Sequence, residues 1–388
     1  MNYSQTIQPA TAGIIAALVG FSSSFAVILK GLSAVGASNA QAASGLMAVT
    51  FAMGLAGIIM SLWTRMPISA AWSTPGAALL ASGGAAAGGF PAAVGAFICV
   101  GALIVAAGLF RPFGRLVAAI PPPLANAMLA GILFALCLNP VKALVQTPMQ
   151  AAPVILVWLA VAHWRRVFAT PAAALVAGFI IALSSDGGGA ALAHLAPQPI
   201  FTTPQFNLAA LTSIAVPLFI VTMASQNLPG LAVLAAFGYR PAPGPLLSLT
   251  GVFTLLSAPF GAHAVNLSAI TAAMTAAPDA SPDPARRWIA TLATGSTYVA
   301  LGLLASAVTS FVAGSPALVE AVAGLALLSA FGGALHNALL YPPSREAALI
   351  TFLTVASGVS FFGVGSAFWG LLAGGAVWLL SRPTTPAL

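Results

Sequence analysis

The sequence has 388 residues, of which 60% are hydrophobic and only 4% are charged. Soluble domains carry about 25% charged residues, so this composition excludes a soluble globular protein and predicts a polytopic membrane protein without a sizeable soluble domain. The net charge of +7 does not indicate nucleic-acid binding, because the Lys and Arg residues are scattered between apolar runs. Cys99 and Cys137 lie inside apolar runs and are expected to be packing residues rather than a disulfide or a metal site.

About fourteen apolar runs follow one another along the chain, with lengths that suit membrane segments. They cover approximately residues 9–30, 38–62, 67–82, 90–110, 118–139, 149–164, 168–184, 208–237, 244–258, 261–276, 287–311, 316–336, 345–361 and 363–381. We interpret them as two repeats of seven segments, 9–200 and 206–382, joined by the polar connection 184–207. An odd number of segments in each repeat places the second repeat upside down relative to the first. The predicted fold is an all-α polytopic membrane protein with one transmembrane domain over residues 9–382.

The basic residues predict the orientation of the chain in the membrane. With a cytoplasmic N-terminus, the cytoplasmic loops receive Arg65, Arg111, Arg115, Arg165, Arg166, Arg240, Arg286, Arg287, Arg345 and Arg382, and the outer loops receive Lys30 and Lys142. An excess of Lys and Arg in short cytoplasmic loops is the general rule for membrane proteins. We therefore expect a multi-pass protein with both termini in the cytoplasm.

Two short segments, residues 67–81 and 257–273, each combine an extended half with a helical half. In the first, Thr74 precedes Pro75 and so favours extended geometry, which predicts that Thr74 caps a half-helix beginning at Pro75. In the second, Asn266 is the predicted cap. Paired broken segments at corresponding places of two repeats indicate a transporter's binding site. We expect the extended halves to lie antiparallel and the half-helix N-termini to meet near the midplane; two ordinary short helices are the alternative.

A resemblance to a known family lies in three stretches: PFGAHAVNLSAITAA, PDPARRWIA (282–290) and WSTPGAALLAS. They resemble the benzoate:proton symporter family of bacterial inner membranes, and the likeness runs over essentially the whole chain. More distantly, the layout is similar to that of nucleobase transporters and related anion transporters. The resemblance implies inverted repeats, a core of residues 9–116 and 206–312, a gate of residues 117–205 and 313–382, elevator-type movement, frequent dimers and an inner-membrane location. Where the nucleobase relatives carry carboxylates, this chain has Gln226 and Asn266, whose neutrality suits an anionic substrate.

A carboxylate site without a basic side chain is predicted at the two half-helix N-termini, where backbone donors and the helix dipole favour anions. The candidate substrate-binding residues are Phe21, Ser23, Trp72, Ser73, Thr74, Gln226, Asn227, His263, Ala264 and Asn266, with Ser268 close by. Further aromatic candidates to flank a ring are Phe25, Phe260 and Phe331. Polar groups inside a membrane are expensive and usually functional; the alternative is that these side chains satisfy broken backbone or pack helices.

Two residues are candidates for proton coupling, His263 and Glu320. Imidazole titrates near physiological pH, and a structural histidine bonded to backbone is the alternative for His263. Glu320 lies within the first turns of segment 12 and is expected near the outer surface. The loop carboxylates Asp279 and Asp283 are expected to cap turns or to pair with Arg286 and Arg287.

The sequence contains neither a zinc-binding H-E-x-x-H nor a phosphate-binding G-x-x-x-x-G-K motif. We therefore predict no enzyme activity, no cofactor and no metal. The predicted function is a secondary active transporter that imports benzoate or a similar aromatic carboxylate with protons. The alternatives are an uncoupled anion facilitator or channel and a nucleobase transporter on the same fold. The expected partners are the small-molecule substrate, protons, membrane lipid and a second copy of the chain, but no nucleic acid.

Overall fold

Helices make up most of the structure, a computed structural model that describes residues 4–84, 86, 88–110, 112, 121–184, 198–312, 315–359, 361 and 365–380. The first half contains α1 (Ser4–Ala34), α2 (Asn39–Thr64), β1 (Ala70–Trp72), α3 (Thr74–Gly83), α4 (Gly89–Leu109), α5 (Pro122–Cys137), α6 (Asn139–Gln146) and α7 (Pro148–Ser184). The second half contains α8 (Leu208–Ala236), α9 (Pro243–Ser257), β2 (Val265–Leu267), α10 (Ile270–Thr275), α11 (Trp288–Leu303), α12 (Ala305–Val312), α13 (Pro316–Leu339), α14 (Arg345–Ala356) and α15 (Ser366–Leu380).

The predicted apolar runs coincide with these elements. Eight of the described helices are long and apolar enough to cross a membrane, which confirms a polytopic membrane protein. The runs 149–164 and 168–184 are the two arms of α7, whose backbone is non-helical at Arg165 (φ −146°, ψ 94°). The count of fourteen segments stays a prediction, because several elements are shorter than a full span. Most of the predicted linker, at 185–197, and Arg111, Arg115 and Arg382 lie outside the described residues.

The two short strands pair with each other across the two halves of the chain. They are antiparallel, and Ala70 lies opposite Leu267, Ala71 opposite Asn266, and Trp72 opposite Val265. Each strand leads into a short helix, α3 or α10, as the sequence predicts. Backbone groups in the middle of a membrane protein must be bonded within the protein. The pairing satisfies part of both extended halves, and the N–H groups of Val265 and Leu267 donate to the side chains of Thr254 and Asn227.

Two close helix contacts are related by exchange of the halves of the chain. The second helix of the first half, α2, packs against α11, and α4 packs against the second helix of the second half, α9. The first pair meets at Gly54 and Gly295, where a Cβ on Gly54 would lie 2.7 Å from the Gly295 oxygen. The second meets at Gly101 and Gly251, where a Cβ on Gly101 would lie 3.1 Å from the Gly251 oxygen. Matching contacts of this kind are expected from two structural repeats, and only glycine permits so close an approach.

The remaining helices pack mainly with one another. Helix α5 contacts α13 and α14, α14 contacts α15, and α7 contacts α6 and α13. These helices lie in the predicted gate, whereas the strand pair and the close glycine contacts lie in the predicted core. The two groups meet where α1 contacts α13 and α7, and where α3 contacts α5. The division into core and gate stays a prediction, with this packing in its favour.

Candidate functional site

The N-terminus of α3 is fixed by Ser73 rather than by Thr74. The Ser73 carbonyl accepts the first helical hydrogen bond, from the Ala77 N–H at 2.8 Å, and its hydroxyl accepts from the Gly76 N–H at 3.1 Å. Ser73 therefore has both features of an N-cap, and the prediction that Thr74 caps this helix was wrong by one residue. The Ser73 hydroxyl also lies 2.8 Å from the hydroxyl of Thr222 on α8.

The N-terminus of α10 likewise differs from the prediction. Asn266 is not its cap but belongs to β2, because the chain stays extended through Ser268, whose N–H donates to the Ser69 oxygen at 2.9 Å. The Ser268 hydroxyl instead accepts from the Thr271 N–H at 3.0 Å. Asn266 is buried and its Nδ2 donates to the Leu267 oxygen at 2.8 Å, while its Oδ1 has no partner among the described residues.

Backbone donors remain free at both helix starts. Within the described residues, the N–H groups of Thr74, Ala269 and Ile270 donate to no acceptor. Such unpaired N–H groups and the positive end of a helix dipole attract anions. Helix α3 has 10 residues and α10 only 6, so α3 supplies the larger share of any dipole. The sequence predicts two converging half-helices, whereas the structure has one capped helix, α3, beside a short helical turn, α10.

Three aromatic side chains lie beside β1. The Phe21 ring is 5.4 Å from the Trp72 ring and is stacked on Phe25 at 5.7 Å between centroids. The indole Nε1 of Trp72 donates to the Ser24 hydroxyl at 2.9 Å. Trp72 and Phe21 are only 3% and 6% exposed, whereas Phe25 is partly exposed. Phe21 and Trp72 are therefore the buried members of this cluster, and Phe25 is its accessible member.

The other aromatic and serine candidates lie in different surroundings. Phe260 packs against Phe201 at 6.0 Å, and Phe331 packs against Phe134 on α5 at 6.1 Å. Ser23 donates to the Gly20 oxygen of its own helix at 3.0 Å, which is how serines are commonly satisfied inside helices.

The adjacent amides Gln226 and Asn227 have opposite environments. Asn227 is fully buried; its Oδ1 accepts from the Leu267 N–H at 2.8 Å and its Nδ2 donates to the Met223 sulfur at 3.2 Å. Gln226 is partly buried and has no hydrogen-bond partner among the described residues. Both lie in a π-helical turn, Met223–Asn227, that contacts both β2 and α5. Turns of this type occur frequently at functional sites.

His263 lies in the interior, on the side of the strand pair where Phe97 packs. It is fully buried, and its Nε2 donates to the Ser73 oxygen at 2.9 Å. The Phe97 ring lies 6.4 Å away in an edge-on arrangement. Ala264 is buried beside it, and its carbonyl accepts from the Ser73 N–H at 3.2 Å. His263 therefore holds the residue that caps α3, while its Nδ1 has no partner among the described residues.

Glu320 forms an ion pair that the sequence does not predict. Its carboxylate lies 2.9 Å from the Lys30 ammonium, and Lys30 belongs to the last turns of α1 rather than to a loop. The two side chains are 40% and 26% exposed. Because α1 belongs to the predicted core and α13 to the predicted gate, this ion pair links the two.

The loop after α10 fits the prediction for Asp283 but not for Arg287. Asp283 accepts from the Ala285 N–H at 2.9 Å and pairs with Arg286 at 3.3 Å. Arg287 is buried and forms no ion pair in the described part of the chain. It donates to two main-chain oxygens, of Ala276 at 2.7 Å and Ser281 at 2.8 Å. Arg287 thus satisfies carbonyls at the end of a helix, a common role for arginine.

Sequence reasoning missed Thr222, did not include Ser24 among the candidates and undervalued Ser268. Thr222 lies four residues before Gln226 on α8, a spacing that places two residues on one helix face, so the helical period could have revealed it. Ser24 and Ser268 are recognised only by their partners, Trp72 and Thr271.

Comparisons with known proteins agree with this architecture. The family model described as Benzoate membrane transport protein (BenE) matches residues 5–380. The chain is 41% identical over 378 residues to Inner membrane protein YdcO of Escherichia coli (strain K12), covering 97% of this chain and 96% of that protein. It is 29% identical over 379 residues to the Benzoate membrane transport protein of Acinetobacter baylyi (strain ATCC 33305 / BD413 / ADP1), covering 96% and 95%.

Two solved structures share the fold. The transmembrane domain of the cyanobacterial bicarbonate transporter BicA matches with a TM-score of 0.60 and 15% identity, over 97% of this chain and 98% of that chain. The structure of SLC26A9 matches with a TM-score of 0.56 and 13% identity, over 95% of this chain and 65% of that chain. At these identities the likeness concerns the fold alone, and it agrees with the predicted all-α polytopic membrane architecture.

Proposed function

Because this chain belongs to the BenE family of benzoate membrane transport proteins, we propose that it moves benzoate or a similar aromatic carboxylate with protons across the bacterial inner membrane. The chain is an integral membrane protein and its family consists of transporters rather than enzymes. The substrate, the coupling to protons and the orientation with both termini in the cytoplasm belong to this proposal. A homodimer remains an expectation from the family resemblance.

The observation that carries the proposal is the capped start of α3 beside the strand pair. The free N–H of Thr74 and the unpartnered amide of Gln226 are neutral donors for a carboxylate. Hydrogen bonds to a charged group contribute about 1.5–3 kcal/mol each, so two or three of them hold an anion without a permanent cation. Phe25, stacked on Phe21, offers an apolar face for the ring.

The packing supports movement of the core against the gate. Close glycine contacts tie α2 to α11 and α4 to α9, which favours motion of the core as one body. We expect the strand pair to move with the core, because the hydrogen bond from the Leu267 N–H to Asn227 links β2 to α8. Contacts between core and gate include an ion pair that is partly exposed, and such pairs contribute only about 0–1 kcal/mol. A boundary of this kind is suited to repeated making and breaking.

Proton coupling has two candidate carriers within the described residues and a third route through the substrate. Glu320 is already paired with Lys30. His263 uses Nε2 to hold Ser73 and keeps Nδ1 free to accept a proton. The alternative route is co-transport of the protonated acid. Uptake that stays proton-coupled in His263→Ala would remove His263 as the carrier and leave Glu320 and the protonated acid.

The decisive experiment measures radiolabelled benzoate uptake into proteoliposomes with and without an inward proton gradient. We expect accumulation above equilibrium only with the gradient. Equilibration without accumulation would identify an uncoupled facilitator. Competition by uracil or xanthine but not by other aromatic carboxylates would instead identify a nucleobase transporter. Gln226→Ala, compared with wild type in the same vesicles, tests whether the proposed site binds the carboxylate.

A further inference from the structure

A cavity lies away from the strand pair, toward the end of α1 opposite Lys30. Its volume is about 490 Å³. It is lined by Ala12 and Ile15 of α1, by residues 165–168 at the break in α7, and by Ala273, Met274, Ala277, Asp279 and Ala280 at and after the end of α10. The cavity therefore lies between two core elements and one gate helix.

The cavity contains uncompensated positive charge. Its charged side chains are Arg165, Arg166 and Asp279, and its other lining residues are apolar. None of the three takes part in an ion pair within 4 Å among the described residues. Two cations and one anion leave a single positive charge in excess, which matches a monoanion with an apolar body.

The same elements connect this cavity to the proposed substrate site. Along α1, Ile15 precedes Phe21 by six residues, and along the β2–α10 segment Met274 follows Ser268 by six residues. At 1.5 Å per helical residue, the separation along α1 corresponds to about 9 Å. An anion that leaves the start of α3 toward this end of α1 thus reaches the cavity within about one substrate length.

Hydrogen bonds fix one wall of the cavity. Arg287 donates to the main-chain oxygens of Ala276 and Ser281, which flank the lining residues 277–280. Opposite this wall, the non-helical geometry of Arg165 turns the chain between the arms of α7. At the far end of α1, the Lys30–Glu320 ion pair joins core and gate. Core and gate are thus joined by an ion pair at one end of α1 and both line the cavity at the other.

We propose that this cavity is a second subsite for the aromatic carboxylate, where Arg165 and Arg166 bind the carboxylate and the apolar wall receives the ring. The inference rests on the proposed function and adds a release or loading position on the membrane face that bears the two arginines. An anionic lipid headgroup has the same charge. We favour the substrate because α1 and the β2–α10 segment, which form most of the apolar wall, also adjoin the central site.

The test compares single neutralisations in membrane vesicles of both orientations. For Arg166→Gln, the KM for radiolabelled benzoate applied to the arginine-bearing face should rise by up to about fivefold, the upper range for an exposed ion pair. The KM at the opposite face should stay unchanged, and kcat from the arginine-bearing face should rise together with its KM, because the ratio of kcat/KM in the two directions is fixed by thermodynamics. High salt should reduce the difference, since it screens exposed charges. Arg166→Lys should retain most of the wild-type affinity, and Arg240→Gln, an exposed arginine outside the cavity, is the matched control.

The outcomes separate the inference from the function on which it rests. No wild-type transport of aromatic carboxylates would overturn the proposed function and the second subsite together. Normal wild-type transport with equal effects on both faces, or with the same effect in Arg240→Gln, would overturn the subsite alone. An effect seen only in vesicles that contain phosphatidylglycerol, and absent in pure phosphatidylcholine, would assign the cavity to lipid instead.

Discussion

Asn227 and Gln226 are neighbours in sequence, yet the structure predicts opposite consequences of replacing them. Asn227→Ala removes the acceptor of the Leu267 N–H at 2.8 Å and leaves a fully buried donor unpaired. The cost of an unsatisfied buried donor is about 1–3 kcal/mol. We expect the free energy of unfolding to fall by roughly 2 kcal/mol and the Tm to fall by about 2–3 °C.

Gln226→Ala removes no hydrogen bond within the described residues, so the Tm should stay within about 1 °C of wild type. Its amide is instead a candidate donor to the substrate carboxylate. Losing a hydrogen bond to a charged group costs about 1.5 kcal/mol or more, which corresponds to a rise in KM of roughly tenfold.

The two variants are compared by thermal unfolding in detergent and by initial rates of benzoate uptake in proteoliposomes. Asn227→Ala should show the larger loss of Tm, and Gln226→Ala the larger rise of KM. The reasoning would be refuted if Gln226→Ala destabilised the protein as much as Asn227→Ala. It would equally fail if Asn227→Ala raised the KM while leaving the Tm unchanged, since Asn227 would then bind substrate rather than fasten β2.

Three further substitutions test the cap, the ion pair and the helix contact. Ser73→Ala removes the cap of α3 and should lower the unfolding free energy by about 1 kcal/mol, seen as a lower Tm in detergent. Glu320→Gln breaks the pair with Lys30 and should change uptake by no more than about fivefold while proton-coupled accumulation persists. Gly54→Val places a side chain against the Gly295 oxygen and should destabilise the core by about 1–3 kcal/mol, measured as reduced Tm and reduced monodisperse yield.

Each of these tests has a matched control or a contradicting result. Ser73→Thr keeps a hydroxyl and should retain most of the cap. Loss of proton-coupled accumulation in Glu320→Gln would indicate that Glu320 carries the proton. Gly83 has open space around its Cβ position, so Gly83→Ala should leave the Tm nearly unchanged. An equal loss of Tm in Gly83→Ala and Gly54→Val would contradict the close contact of α2 with α11.

Local chemistry along the chain was sufficient to predict that segments 67–81 and 257–273 are broken into an extended and a helical half. Proline and the polar residues before it restrict the backbone within a few positions, and an apolar chain requires its strands to find internal partners. The positions of the caps were not predictable in the same way. Ser73 is the cap because Ala264 binds its N–H and Thr222 contacts its hydroxyl, and both come from the other half of the chain.

The sequence by itself determined the class of protein, the places of its apolar segments, the two breaks and the family. These properties depend on composition, hydropathy and short motifs, which act over a few residues. Only the tertiary structure decided which polar side chains form structural hydrogen bonds and which have no partner among the described residues. Asn227 and Gln226 are equally polar in the sequence, and a hydrogen bond to Leu267, 40 residues away, separates their roles. The same holds for Glu320, whose partner Lys30 lies in the opposite half of the chain, because long-range contacts are set by packing rather than by local pattern.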